Sequence, residues 1–134
     1  KPRPLRKVAS GGELSRIMLA LKLVLGKKDQ SKLLIFDEID SGISGEIAHL
    51  VARKLRKISE THQILLITHQ QAIAAMSHSQ IGVEKKVIGG RTVSQSEKLY
   101  GEKRENGLAR MISGNSITQG ALEHARELLN KVAI

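Results

Sequence analysis

Two short apolar runs, each ending abruptly in polar chemistry, constrain this chain most. Leu33-Leu34-Ile35-Phe36 stops at Asp37, Glu38 and Asp40, and Ile64-Leu65-Leu66-Ile67 stops at Thr68-His69. Between them, the stretch from Glu46 to Ile58 sets Ile47, Leu50, Val51, Leu55 and Ile58 at the spacing of one helix face. Strand, helix, strand at this separation predicts a βαβ crossover with parallel strands. A run without polar alternation suits a strand covered on both faces. Ligands of open α/β sheets gather at the C-terminal edge of such strands, which is where the acids and the histidine fall.

The remaining segments fit around that unit. Residues 1–9 read as an extended leader with two prolines. Ser10-Gly11-Gly12-Glu13 matches a capping box, a Ser cap with Glu three residues on. Leu14, Ile17, Met18, Leu21 and Leu25 then recur at helical spacing, with Gly26 as the stop and a polar loop from Lys27 to Lys32. A short helix is expected from Gln71 to Met76. Residues 80–88 and 91–99 flank Gly89-Gly90, a two-residue hairpin turn. Helices are expected over 103–112, ended by Gly114, and from Thr118 to Val132, with Leu122, Ala125, Leu128, Leu129 and Val132 on the apolar face.

Composition removes several classes of function. The 134 residues suit one ordinary domain. No cysteine is present, so disulfides, thiolate metal sites and cysteine nucleophiles are excluded. No run approaches the roughly 20 apolar residues of a membrane span. Lys and Arg outnumber Asp and Glu by 22 to 13, a balance of +9 that favours anionic partners such as nucleotide or nucleic acid. Phe36 and Tyr100 are the only aromatic residues, too few for a base-stacking platform, so any DNA contact should be mainly to phosphate. The charged stretch of Arg91, Lys98, Lys103 and Arg104 reads as a solvated face.

Three places carry candidate chemistry. Ser10, Gly11 and Gly12 open a helix whose free N–H groups and dipole favour an anion, and the glycines allow close approach. The plainer reading is a capped helix after a turn. After the first apolar strand, where Asp37 and Glu38 stand, one carboxylate could hold Mg²⁺ directly or through water and an adjacent one could polarise an attacking water. Strand alternation points the two in opposite directions and so assigns them separate roles. The plainer reading is an acidic loop. His69 would lie on the same sheet edge, within reach of a γ-phosphate or the attacking water, or it is a structural or solvent-exposed histidine. His49, His62, His78 and His124 read as surface or structural, and no pair has a metal-site spacing.

In this order the three places resemble the C-terminal half of an ABC ATPase head of the SMC-like class. Residues 8–20, Val-Ala-Ser-Gly-Gly-Glu-Leu-Ser-Arg-Ile-Met-Leu-Ala, resemble its signature motif and helix. Residues 33–45, Leu-Leu-Ile-Phe-Asp-Glu-Ile-Asp-Ser-Gly-Ile-Ser-Gly, resemble Walker B and the D-loop, and Ile67-Thr68-His69 resembles the switch-histidine loop. Ala109 to Gly114 and Ala121 to Ala125 resemble the tail of a bacterial DNA double-strand-break repair branch of that class. The resemblance covers nearly the whole chain.

It implies an α/β fold, the C-terminal lobe of a P-loop ATPase head over residues 1–134. That lobe has a mainly parallel sheet flanked by helices, a β-hairpin and C-terminal helices. It implies ATP and Mg²⁺ as cofactors, with Ser10, Gly11, Gly12 and Glu13 at the nucleotide of an opposite head. Asp37 would hold Mg²⁺, Glu38 and His69 would be catalytic, and Ser41 and Gly42 would lie in the D-loop at the dimer interface. Ser44 departs from the Asp that many ABC proteins carry there. Implied partners are the N-terminal lobe of the same head, a second head in a homodimer, and DNA through its phosphates, with no membrane, in the bacterial cytoplasm near the nucleoid.

No Gly-x-x-x-x-Gly-Lys-Ser/Thr loop occurs, since Gly26-Lys27 is followed by Lys28. The class carries that loop in an N-terminal lobe beyond a coiled coil. With no initiator Met either, the chain is expected to be part of something longer and to be inactive alone. Two other readings compete: a catalytically silent basic module that docks on DNA or a partner, and the nucleotide-binding subunit of a transporter. Retention of Asp37, Glu38 and His69 together argues against the first, and the basic charge against the second.

Overall fold

The structure is a computed structural model and describes residues 4, 8–25 and 32–131. The expected stop at Gly26, most of the polar loop, most of the leader and Val132 lie outside these residues. The elements run α1 (Gly11–Leu25), β1 (Leu33–Phe36), α2 (Gly45–Ile58), β2 (Gln63–Leu66), α3 (Gln71–Ala75), β3 (Gln80–Ile88), β4 (Arg91–Leu99), α4 (Gly101–Ser113) and α5 (Gln119–Asn130). They form two compact units, residues 1–73 and 74–134, with the chain passing from one to the other within α3.

In the first unit β1 and β2 pair in parallel, Leu33 opposite Gln63 and Phe36 opposite Leu66, with α2 as the crossover. Apolar residues at helical spacing give α2 its buried stripe of Ala48, Val51, Ala52, Leu55 and Ile58. Leu34, Phe36 and Ile39 join them in the core. The apolar run of β1 is covered on one face only: Leu34 and Phe36 are buried, while Leu33 and Ile35 are exposed, as are Leu65 and Ile67 beside them. Period-2 alternation puts these four on one face of the two-stranded sheet, and no described residue of the unit covers it.

The second unit packs α4 against α5 around Leu108, Ala109, Ala121, Ala125 and Leu128. Thr118 caps α5 by accepting from the Ala121 N–H at 3.2 Å. Gly114, at φ 76°, ends α4 and donates its N–H to the Arg110 carbonyl at 2.8 Å. The hairpin β3–β4 runs in register from Gln80–Leu99 to Ile88–Arg91. Gly89 and Gly90 at φ 57° and 75° supply the two positive angles that a tight hairpin turn demands. Arg104 departs from the solvated face expected of it: half-buried, its Nη2 donates to the carbonyls of Ala75 and Ser77. Lys103 pairs with Glu97, and Lys98 lies 5.1 Å from the Tyr100 ring centre.

Candidate functional site

All three candidate places fall in the first unit. Residues 37–43, directly after β1, join them. At one end of this segment lies the start of α1. The capping box forms as written in the sequence: Ser10 N donates to Glu13 Oε2 at 2.8 Å, and Glu13 N to Ser10 Oγ at 3.3 Å. Leu14 N bonds the Ser10 carbonyl. Gly11 and Gly12 thus present the first-turn N–H groups that no helical carbonyl can reach.

The two glycines differ in what surrounds them. Ser10 and Gly11 are exposed, and Gly12 is buried. A Cβ on Gly12 would stand 2.7 Å from the Glu38 carbonyl oxygen and 2.9 Å from Ser41 Cβ. On Gly11 it would stand 2.7 Å from Glu38 Oε2. Gly12 is therefore needed for backbone packing alone, whereas Gly11 faces the end of a flexible side chain.

Two side chains of α1 hold the segment from above. Ser15 Oγ donates to the Asp37 carbonyl at 3.0 Å, and Arg16 Nη1 donates to the carbonyls of Ile39 and Ser41 at 3.0 and 2.9 Å. A guanidinium suits this task because it offers several donors in a fixed fork. Asp37 and Glu38 are exposed and lie beyond the last strand residue, so strand alternation no longer governs them. Glu38 has φ 56°, the left-handed region, which costs a non-glycine residue roughly 1–2 kcal/mol. The Ser41 N–H closes the turn on the Glu38 carbonyl at 2.9 Å.

At the other end, Asp40 turns inward. Its side chain is 2% exposed, and its Oδ2 accepts from Thr68 Oγ1 at 2.5 Å, His69 N at 2.8 Å and Gln70 N at 3.2 Å. His69 Nδ1 lies 3.0 Å from the same oxygen, with the His69 side chain 72% exposed. Gln70 Nε2 donates to the Ile43 carbonyl. Burial pushes the Asp40 carboxyl up, but the Thr68 hydroxyl, the backbone N–H groups and the His69 ring outweigh it and hold it below its ordinary value near 3.8. Residue identities alone gave no reason to single out Asp40 or Arg16. The parallel register of β1 and β2 brings Asp40 to the His69 loop. Of the other histidines, His62 is buried and hydrogen-bonded through Nδ1 to Thr61 Oγ1, a structural role.

The chemistry available is that of an open surface. A cleft of about 490 Å³ beside α1 is lined by Val8, Ala9, Glu13, Arg16, Ile17 and Ala20, and none of Asp37, Glu38 or His69 borders it. Among the described residues no group of three or more His, Cys, Asp or Glu could hold a metal by itself. The single exposed carboxylate of Asp37 fits Mg²⁺, which keeps much of its water and takes other ligands from substrate phosphates. No described helix is long and apolar enough to cross a membrane.

No protein-family model matches the chain. It is 52% identical over 126 residues to the DNA repair protein RecN of Deinococcus radiodurans, covering 94% of this chain and 22% of that protein. RecN of Halalkalibacterium halodurans is 44% identical over 128 residues, 96% of this chain and 23% of that protein. For RecN of Bacillus subtilis the identity is 40% over 129 residues, with 96% and 22% covered. The chain thus spans under a quarter of the length of these curated relatives. It also superposes on a chain solved in work on ATP-driven dimerization and DNA-stimulated activation of SMC ATPases. The TM-score is 0.58 at 26% identity, covering 79% of this chain and 63% of that one. The fold is α/β, as expected of the C-terminal lobe of an ABC-type ATPase head.

Proposed function

We propose that this chain, a RecN-type sequence along 94–98% of its length, is one half of an ATP-hydrolysing head that acts in DNA double-strand-break repair and recombination. One observation carries the reading. A glycine-rich helix start, an Asp-Glu pair at a strand's C-terminal end and a histidine after the next parallel strand are tied through residues 37–43. The remainder of the head, with the phosphate loop and coiled coil, belongs to a longer protein of which this chain is a part. The exposed face of Leu33, Ile35, Leu65 and Ile67 supports that reading, because a contiguous exposed apolar patch marks a surface that another segment or protein covers.

In this scheme two heads sandwich two ATP molecules. Ser10, Gly11 and Gly12 meet the γ-phosphate of the nucleotide held by the opposite head, through the α1 N–H groups and the Ser10 hydroxyl. Glu13 holds Ser10 in place. Asp37 would hold Mg²⁺ through water, and the ion would supply positive charge against the phosphates. Glu38 orients the attacking water and accepts its proton. His69 senses the γ-phosphate, and Ser41 and Gly42 cross the interface. Hydrolysis separates the heads and moves the DNA-engaged coils, in the bacterial cytoplasm beside the nucleoid, with DNA held mainly by phosphate contacts. This chain alone neither holds ATP tightly nor hydrolyses it.

The test is Ser10→Arg in the longer protein. It should block ATP-dependent dimerisation while nucleotide binding to each monomer stays nearly intact. Unchanged dimerisation would sink the scheme. A silent basic docking module is the competing reading, and ATP hydrolysis by the longer protein that survives Glu38→Gln would favour it.

A further inference from the structure

We infer that Asp40 is a positioning residue for His69, fixing which ring nitrogen meets the nucleotide; this rests on the proposed role of His69 above. Asp40 is among the most deeply buried side chains of the chain, yet it is a carboxylate. A buried charge persists only where hydrogen bonds compensate it. Here Asp40 Oδ2 accepts from the loop that follows β2, from the Thr68 hydroxyl and the N–H groups of His69 and Gln70. A loop cap needs no more than these. The His69 ring is additional, because it reaches the same oxygen through Nδ1 at 3.0 Å while most of the side chain stands in solvent.

That geometry fixes the ring's chemistry. Nδ1 stands 3.0 Å from a carboxylate oxygen, where a bare nitrogen lone pair would be repelled, so the hydrogen of the neutral ring belongs on Nδ1. The neutral ring then presents Nε2 without a proton, as an acceptor for the attacking water. A second proton on the ring makes Nε2 a donor to a phosphate oxygen. A free neutral histidine side chain in water favours the proton on Nε2, so a proton held on Nδ1 is imposed by the partner of that nitrogen. Asp40 thus does for His69 what an orienting carboxylate does for other catalytic histidines, and Thr68 and the two amides hold the carboxylate itself still.

The first experiment reads the tautomer in the 134-residue chain, with ¹⁵N-labelled histidine and long-range ¹H–¹⁵N spectra above the ring's titration range. The His69 signal is assigned by its loss in His69→Ala. The expected pattern is a protonated Nδ1 and an unprotonated Nε2. The opposite tautomer in the unaltered chain overturns the proposal, whatever the variants do. Asp40→Ala should release the ring to the Nε2-protonated form, and Asp40→Asn, which keeps an oxygen acceptor, should retain the original pattern.

The second experiment measures hydrolysis in the longer protein. Asp40→Ala should lower kcat by roughly 10- to 100-fold, the range seen when orienting partners are removed, with little change in KM for ATP, and Asp40→Asn should restore part of it. If His69→Ala abolishes hydrolysis and Asp40→Ala does not lower kcat, the inference fails and the reading of His69 stands. If His69→Ala leaves hydrolysis unchanged, the reading of His69 fails, and the functional part of this inference with it. An Asp40→Ala protein that does not fold leaves the wild-type tautomer and Asp40→Asn to decide.

Discussion

Adjacent glycines at the start of α1 should respond in opposite ways to a single methyl group. In Gly12→Ala the new Cβ would sit 2.7 Å from the Glu38 carbonyl oxygen, 2.9 Å from Ser41 Cβ and 3.1 Å from Arg16 Nη1. Two of these neighbours are anchored. The Glu38 carbonyl accepts the Ser41 N–H at 2.9 Å, and the Ser41 carbonyl accepts from Arg16 at 2.9 Å. Making room means shifting backbone, and forcing a methyl group into packed surroundings costs about 1–3 kcal/mol. The helix gains at most about 1 kcal/mol from Ala over Gly, which leaves a net loss. In Gly11→Ala the clash at 2.7 Å is with Glu38 Oε2, the end of an exposed side chain that can swing aside. There the helix gain survives. Gly12→Ala should be the less stable of the two by about 2 kcal/mol. The assay is native-state hydrogen exchange of the slowest α1 and α2 amides, which reads the first unit by itself. Equal protection in the two variants, or greater protection in Gly12→Ala, would refute the packing explanation of the second glycine.

Three further outcomes follow from the same structure. Glu38 sits at φ 56°, so Glu38→Gly should be more stable than Glu38→Ala by about 1 kcal/mol, relief of strain less the extra freedom of the unfolded glycine, as read by urea midpoints. Equal midpoints would mean the left-handed turn is unstrained. The Asp40 carboxyl is held below its ordinary value, so its contribution is present above pH 3.8 and is lost as pH falls through the lower folded-state value. Thr68→Val removes one of the donors responsible and should cost about 1–3 kcal/mol at pH 7. The gap to wild type should narrow as pH falls below 3.8, and a gap constant with pH would show that Thr68 does not act through the ionised carboxylate. Thr118→Ala removes the α5 cap and should cost about 1 kcal/mol by hydrogen exchange in the second unit, with the first unit unchanged.

Much of this was legible because local chemistry decides it. The capping box at Ser10 and Glu13 formed as its spacing dictates, and Gly89-Gly90 placed the hairpin turn and its arms. The βαβ unit followed from two apolar runs and one amphipathic stretch. What escaped depends on tertiary register. Leu33-Leu34-Ile35-Phe36 has no alternation, so nothing in it tells which face this chain covers and which is left to another segment. Glu38 departs from the strand because its residue is left-handed, a choice the Glu side chain itself does not announce. Asp40 looked like the third acid of a loop. It becomes the buried partner of Thr68 and His69 only once β2 lies beside β1. Arg16 stood among solvent-facing positions of a helix until the turn after β1 put two carbonyls within its reach.

In the proposed head dimer, Ser10 and Glu38 of one chain serve two different nucleotides. That division is tested most directly by mixing two separately inactive forms of the longer protein, Ser10→Arg and Glu38→Gln. In a mixed dimer one site combines an intact Glu38 with the intact Ser10 of the other head, while the second site carries both defects. ATP hydrolysis should reappear on mixing and depend on the proportion of the two forms. Two preparations that stay inactive together at every ratio, while each still binds ATP, would contradict the shared site.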